Sequence, residues 1–410
     1  MTTQIFKTTA LILLTSNFLI ANSCSGGVCG ASTTPYIPSD IEDTTDLKPF
    51  NVFAKKEIKK GYKGWLLADN AGDTDIGKNR FMSGLDINSF LTVDDKLTLF
   101  GLVSSKNIYG KNLKSGKVSY AYPLSWKDIV LEASYIQSNY SLTKLLPGTT
   151  GIGKNRSIEG KITYPLIDSE KENLKFSLYL NNNTIDDTIT NDFFITNNGK
   201  ESYSIAAHID FETKKYPIFN LDTNHKLSLA LTTGKLTFSD TFNEKLDKSN
   251  LNTQGSYTKM NLDYKNTMLL SSHTTLKSNF RGQYALNNKN LDDSELFTVG
   301  GINGVKVYET STTYDSNGIF LNIEGLYKLP EFKAIKNSIG IFYDYGQVWA
   351  SDPLPSSEGT ITVQDTGLGI YTTYKKFFSK IQAAYEVGNA KVSTKSDKHY
   401  RVLFQAGIVY

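Results

Sequence analysis

Two cysteines, ten prolines and four histidines are all that a chain of 410 residues holds of those types, and neither sign of charge dominates, with 44 basic against 41 acidic side chains. Each scarcity removes a class. Two cysteines cannot build a disulfide scaffold or a Cys-rich zinc module. A net charge of +3 supplies no basic field for nucleic acid. His208, His225, His273 and His399 are scattered, with no HExxH, nucleophile elbow or P-loop, so no catalytic centre, metal site or cofactor is expected. Long apolar runs are missing as well: past the first residues, no stretch approaches the ~18 apolar residues of a second membrane span. A mean hydropathy of -0.31 with 12% aromatics excludes both a helical membrane bundle and a disordered chain.

What is present begins with an export signal. Lys7 precedes an apolar run from Thr8 to Ala21, and Ala21, Asn22 and Ser23 put small residues where a signal peptidase cuts, which marks residues 1–23 as a signal peptide. Cys24 and Cys29 follow at once. In an exported chain they allow a small disulfide loop, and Cys24 alternatively allows lipidation, for which Asn22 and Ser23 form a poor signal. Residues 24–60 are rich in Gly, Ser, Thr, Pro, Asp and Lys without periodicity, and are expected to be a flexible periplasmic leader.

From about Tyr62 the chain alternates apolar and polar residues, the period of two that marks strands. Tyr203, Ile205, Ala207, Ile209 and Phe211 fall on one face and Ser204, Ala206, His208 and Asp210 on the other. Leu227, Leu229 and Leu231 repeat the pattern, as do Ile381, Ala383 and Tyr385. Strands are expected at 62–69, 79–90, 96–105, 116–123, 127–139, 155–166, 172–183, 202–213, 224–238, 255–267, 272–284, 317–330, 336–349, 364–374, 377–388 and 398–410. That is about sixteen, an even number. Short connections such as Lys375-Lys376 alternate with long ones at 140–154, 184–201, 239–254, 285–316 and 350–363. One tight rim and one loop-bearing rim describe a transmembrane antiparallel β-barrel spanning 61–410, whose apolar face meets lipid and whose polar face lines a lumen. Length is then no obstacle to a single domain, because a barrel grows by adding strands around its circumference. Lys161, Lys277 and Arg281 fall inside by this register, alongside Glu132, Glu159 and Asp263, and serve to solvate the lumen.

The carboxy-terminal segment carries Val402, Phe404, Ala406, Ile408 and a terminal Tyr410 in alternation. It resembles the last strand of bacterial outer-membrane proteins, whose terminal aromatic is read by the barrel-assembly machinery. The resemblance implies that Ile408 and Tyr410 form that signal, and that the barrel sits among outer-membrane lipid and lipopolysaccharide of a Gram-negative cell.

The longest connection narrows the family. Residues 291–327 read LDDSELFTVGGINGVKVYETSTTYDSNGIFLNIEGLY. This resembles the sixth-loop region of the two-partner secretion translocators, the hemolysin secretion/activation proteins, at Gly300, Gly301, Val305, Lys306, Val307, Tyr308, Gly318 and Glu324. Lys306 stands where that family has arginine, and Val307 where it has glycine. The family's arginine pairs with the aspartate of a Phe-x-Asp-x-Gly strand, matched here by Phe342, Asp344 and Gly346. The resemblance therefore implies that the sixth loop folds back as a plug, latched by Lys306 on Asp344. Read from the residues alone, Lys306 is a solvated loop lysine and Asp344 a lumen-facing acid. An ammonium lacks the bidentate fork of guanidinium, so the latch is expected to be softer than the family's.

A second stretch resembles the family's first hairpin at Asp69, Asn70, Gly72, Gly77 and Arg80, of which Asp69, Asn70 and Gly72 are turn formers as residue types. The likeness covers nearly all of 60–410. Family members usually carry two periplasmic polypeptide-transport-associated domains ahead of the barrel. The 35 or so residues in that place show no helix-strand pattern, so those domains are expected to be absent. The function implied is a passive pore exporting an unfolded partner protein of the hemolysin or adhesin type in two-partner, type V, secretion. The alternatives are a general diffusion porin or a degenerate barrel without a passenger, with a soluble secreted β protein or an outer-membrane hydrolase behind them.

Overall fold

The computed structural model describes residues 61–74, 77–106, 112–124, 128–142, 150–190, 195–353, 359–388, 390, 392 and 399–410. The signal peptide, the leader, Cys24 and Cys29 lie outside the described residues. In chain order the strands are β1 (Gly61–Asp69), β2 (Arg80–Asn88), β3 (Lys96–Ser104), β4 (Lys114–Pro123), β5 (Val130–Leu142), β6 (Thr150–Asp168), β7 (Glu172–Thr190), β8 (Ile195–Thr213) and β9 (Thr223–Phe238). There follow β10 (Gly255–Leu269), β11 (Thr274–Ala285), β12 (Phe297–Thr298), β13 (Tyr314–Asp315), β14 (Asn317–Lys328), β15 (Ile335–Trp349), β16 (Thr360–Tyr374), β17 (Phe377–Glu386) and β18 (Tyr400–Val409). Sixteen of them close into an antiparallel barrel in sequence order, with β18 returning to β1, while β12 and β13 form a small separate sheet within the longest loop.

The alternation sorts the two faces. Ile205, Leu231, Ile341 and Leu368 each leave half or more of their surface exposed on the outer wall. Their strand neighbours turn inward, where Ser202, Asp344, Asp365, Gln382 and Gln405 are buried. An apolar exterior around a polar interior is the arrangement lipid requires. No helix among the described residues is long and apolar enough to cross a membrane, and the strands provide the crossing. The molecule is an all-β, sixteen-stranded outer-membrane barrel.

Two expected loops hold strand over their described residues. Residues 140–142 and 150–154 belong to β5 and β6, and 184–190 and 195–201 to β7 and β8, with β6, β7 and β8 each 19 residues long. Their upper parts, such as Asn181-Asn182-Asn183-Thr184, pair in unbroken register with β6 and β8. These parts are polar on both faces, which hides the period of two although the backbone ladder continues. The connection at 239–254 also holds a helix, α1 (Thr241–Ser249), whose N-cap Asp240 accepts from the amides of Phe242 and Asn243. An aspartate at that position satisfies amides the helix leaves open.

The outer wall predicts its own tolerance. Leu229→Arg, on the lipid face, is expected to cost ~2–4 kcal/mol of folding stability, while a change at its inward neighbour Ser228 is expected to cost far less. Urea titration of refolding into vesicles, followed by heat-modifiable gel mobility, measures both. A larger cost at Ser228 would mean the faces are reversed, and equal costs that the two faces do not differ.

Candidate functional site

The connection between β11 and β14, residues 286–316, turns into the barrel instead of standing away from it. Its course is set by backbone geometry first. Gly301 has φ +96°, in the left-handed region that favours glycine, and a Cβ on Gly300 would lie 2.3 Å from the Glu309 carbonyl oxygen. Gly300 thus lets the chain double back, and the amide of Gly301 donates to the Tyr308 carbonyl at 2.9 Å. Val299 and Val305, which flank this turn, are fully buried with Phe297, Tyr308, Phe320, Val348 and Val363 in an apolar cluster inside the lumen. The wall makes room at Gly346, where a Cβ would meet Val299 at 2.7 Å and Val305 at 3.1 Å.

At the loop tip Lys306 Nζ lies 2.5 Å from Asp344 Oδ2 on β15, with the Lys306 side chain 7% exposed and the Asp344 side chain 0%. The same ammonium sits 4.2 Å from the centroid of the Phe342 ring. Asn322 Nδ2 donates to the other Asp344 oxygen at 2.6 Å. Next door the Val307 amide donates to Asp365 Oδ2 on β16 at 2.8 Å. Asp365 is the cross-strand partner of Asp344, so the tip is held by two adjacent wall carboxylates, one taking an ammonium and the other a peptide N–H. The side chain of Val307 packs on the apolar cluster. Glu324 on β14 accepts from Tyr371 and does not touch the tip.

Other contacts of this loop join groups far apart in the sequence. The Tyr308 hydroxyl donates to Glu386 Oε1 at 2.7 Å, and His399 Nδ1 lies 2.7 Å from Glu386 Oε2. Arg401 on β18 donates to the Tyr308 carbonyl at 3.1 Å and to the Gly72 carbonyl at 3.0 Å, tying the loop to the first hairpin. On the opposite wall Lys200 of β8 pairs with Asp292 at 2.6 Å, both almost fully buried. Lys259 of β10 pairs with Glu295 at 2.8 Å, and the Tyr257 hydroxyl donates to Glu295 Oε1 at 2.9 Å. The loop is thereby fixed to both sides of the lumen.

The first hairpin is a joint of its own. Arg80 donates through Nε and Nη2 to the two Asp69 oxygens, both at 2.8 Å, a bidentate pair in which Asp69 is buried. Gly77 has φ +104°, and a Cβ on Gly72 would meet the Gly77 carbonyl oxygen at 2.1 Å, so both glycines are required by the turn. Asn70 reaches β18: its Nδ2 donates to the Val402 carbonyl at 3.0 Å and its Oδ1 accepts from the Phe404 amide at 2.7 Å. Asp73 accepts from the amides of Thr310 and Ser311, both at 3.0 Å, and so caps a one-turn helix of the inward loop from another loop. Thr74 donates twice to Glu309. Burial first, then the Glu309 carboxylate, push the Asp73 carboxyl up to about 6, against the opposing pull of Arg401.

At the closing seam Ile408 pairs with Leu66 on the outer face. Gly64 and Tyr410 exchange two backbone bonds of 3.0 and 2.9 Å. Inside the barrel Asp263 faces Arg281, Lys277 faces Glu324 and Lys161 faces Glu132, each as direct cross-strand partners. Arg281 also donates to the Asn303 carbonyl of the inward loop at 3.1 Å and lies over the Phe320 ring. Sequence reasoning missed Asp73, Lys200, Lys259, Asp292, Glu295, Asp365, Glu386 and Arg401. Their partners sit far off along the chain, and only Asp365 had a readable signal, standing opposite Asp344 once β15 and β16 are set in register.

A closed outer-membrane barrel whose longest loop is bound to its own inner wall is the class these features define. The chain belongs to the Haemolysin secretion/activation protein ShlB/FhaC/HecB family, whose model matches residues 51–369. It is 21% identical over 298 residues to the heme/hemopexin transporter protein HuxB of Haemophilus influenzae, an alignment covering 72% of this chain and 50% of HuxB. The chain therefore spans about half the length of that relative. Its fold matches CdiB from Escherichia coli with a TM-score of 0.69 at 15% identity, over 87% of this chain and 64% of that one. CdiB from Acinetobacter baumannii matches with a TM-score of 0.65 at 16% identity, over 87% and 61%.

Two outcomes follow for the loop. Removing one partner of a buried ion pair leaves the other charge stranded, so Lys306→Ala is expected to weaken loop docking by ~3 kcal/mol or more. Faster proteolysis within 286–316 in the folded barrel reads this, and Lys306→Arg should keep the protection. Because folding raises the Asp73 carboxyl above its ordinary 3.8, the docked joint retains a proton that the free loop has released. Docking is then strongest in acid and weakens as pH rises through about 6. Asp73→Asn should abolish that step in protease sensitivity.

Proposed function

We propose that this barrel is a passive outer-membrane pore exporting an unfolded passenger polypeptide of the hemolysin or adhesin type in two-partner secretion. Membership of the secretion/activation family supports the reading. The observation that carries it is the loop 286–316 bound at its tip by the buried Lys306–Asp344 pair and held from opposite walls by Arg401 of β18 on the Tyr308 carbonyl and by Lys200 of β8 on Asp292. A loop anchored in this way suits an export channel that must stay shut until its passenger arrives. The rim bearing the long loops faces outward and the rim of tight turns faces the periplasm. With no nucleotide available there, folding of the passenger outside drives its passage. Lys306 on Asp344 acts as the latch, softened by an ammonium in place of a guanidinium, with Asp365 and Phe342 as its supports. Ile408 and Tyr410 present the signal that the barrel-assembly machinery reads, and lipopolysaccharide surrounds the outer half of the wall.

Planar-bilayer recording tests the closed state. The intact protein is expected to conduct little, and deletion of 286–316 or Lys306→Ala to raise conductance several-fold; a wide, steady pore in the intact protein would favour the diffusion porin. Secretion of a candidate passenger with and without this protein tests the export role separately.

A further inference from the structure

The outer wall carries a groove that the export reading does not use. Two adjacent cross-strand rows cross the β1–β18 seam on the lipid face. In the first, Thr372, Ser379, Ala406 and Ala68 lead to Phe81 and Val103. In the second, Tyr374, Phe377, Ile408 and Leu66 lead to Ser83 and Gly101. Small residues thus fill the first row from β16 across the seam to β1 and the second row on β2 and β3, and large apolar residues flank them throughout. The result is a diagonal groove of about 920 Å³ with mostly apolar walls. It starts at the tight-turn rim and spans five inter-strand steps, on the order of 24 Å at ~4.8 Å per strand.

A dent in a wall bathed in hydrocarbon is filled by hydrocarbon, because an empty one forfeits contacts along its whole lining. The groove's lower end carries a charge as well. Tyr374 and Phe377 line it, and the two residues joining them are Lys375 and Lys376, both exposed. Lys375 Nζ lies 5.2 Å from the centroid of the Tyr374 ring, in the tight turn where β16 and β17 end. Neither lysine has an acidic partner among the described residues. We infer that the groove is a site for an anionic phospholipid, one acyl chain lying along the row of small residues and the phosphate meeting Lys375 and Lys376. The occupant touches β17, β18, β1 and β2 together, and so bridges the two strands that close the barrel. This assignment is independent of the secretion reading.

Native mass spectrometry of the full-length, detergent-purified protein titrated with phosphatidylglycerol tests it. The wild type is expected to keep one lipid and to prefer phosphatidylglycerol over phosphatidylethanolamine by about tenfold. Gly101→Leu fills the groove from one side of the seam, and a Cβ there is in ordinary contact with Ser83 Oγ at 3.4 Å, so folding is undisturbed. Ser379→Leu fills it from the other side. Either variant, checked for heat-modifiable mobility, should lose the retained lipid, and Lys375→Glu with Lys376→Glu should erase the headgroup preference. Glycerol phosphate, which has no acyl chain, should not compete. Equal retention in wild type and filled-groove variants, a detergent adduct only, no headgroup preference in the wild type, or full competition by glycerol phosphate would each overturn the assignment.

Discussion

A peptide group in hydrocarbon has no water to bond to, and that single constraint organises this molecule. Every strand must have two neighbours, so the sheet must close, and closing it fixes which residues share a face. The outer face can then be apolar without aggregation, and the inner face becomes an enclosed polar space narrow enough for one loop to touch both walls. The ion pairs of that loop depend on the same closure. In open solvent Lys306 and Asp344 would contribute little; enclosed at side-chain exposures of 7% and 0%, neither can be left without the other.

Most of the barrel was legible because lipid imposes so regular a pattern. All sixteen barrel strands overlap the segments that the alternation of apolar and polar residues marks, and even the even count follows from it. The pattern fails where the constraint lapses. Asn181 to Thr184 and the upper part of β8 remain strand in water on both sides, where nothing requires an apolar face, so their ladders leave no periodic trace. The inward loop is the opposite case. Motif residues such as Gly300, Gly301 and Gly346 could be picked out through the family resemblance, and the structure shows backbone turns and close approaches that demand glycine there. The contacts of Lys200 with Asp292 and of Asp73 with Thr310 and Ser311 depend on where distant segments meet, and no local spacing encodes that.

The loop tip divides its fixation among neighbours. Lysine offers a point charge without the planar fork of a guanidinium, and the valine beside it offers an apolar side chain. In this chain the ammonium is shared between the Asp344 carboxylate and the face of Phe342, the second wall acid receives the Val307 amide, and the Val307 side chain joins the apolar cluster. The tip is fixed by several contacts of different chemistry.

Asn70 lies just past the end of β1, yet its carboxamide takes one bond from β18 and gives one back. A side chain there imitates a peptide unit and lengthens the zipper of the barrel's last joint by one tooth. The reach of that joint is consequently set by a residue outside both strands, in the same hairpin whose Asp73 grips the inward loop. A pull on the loop would be felt at the zipper's open end without passing through the wall.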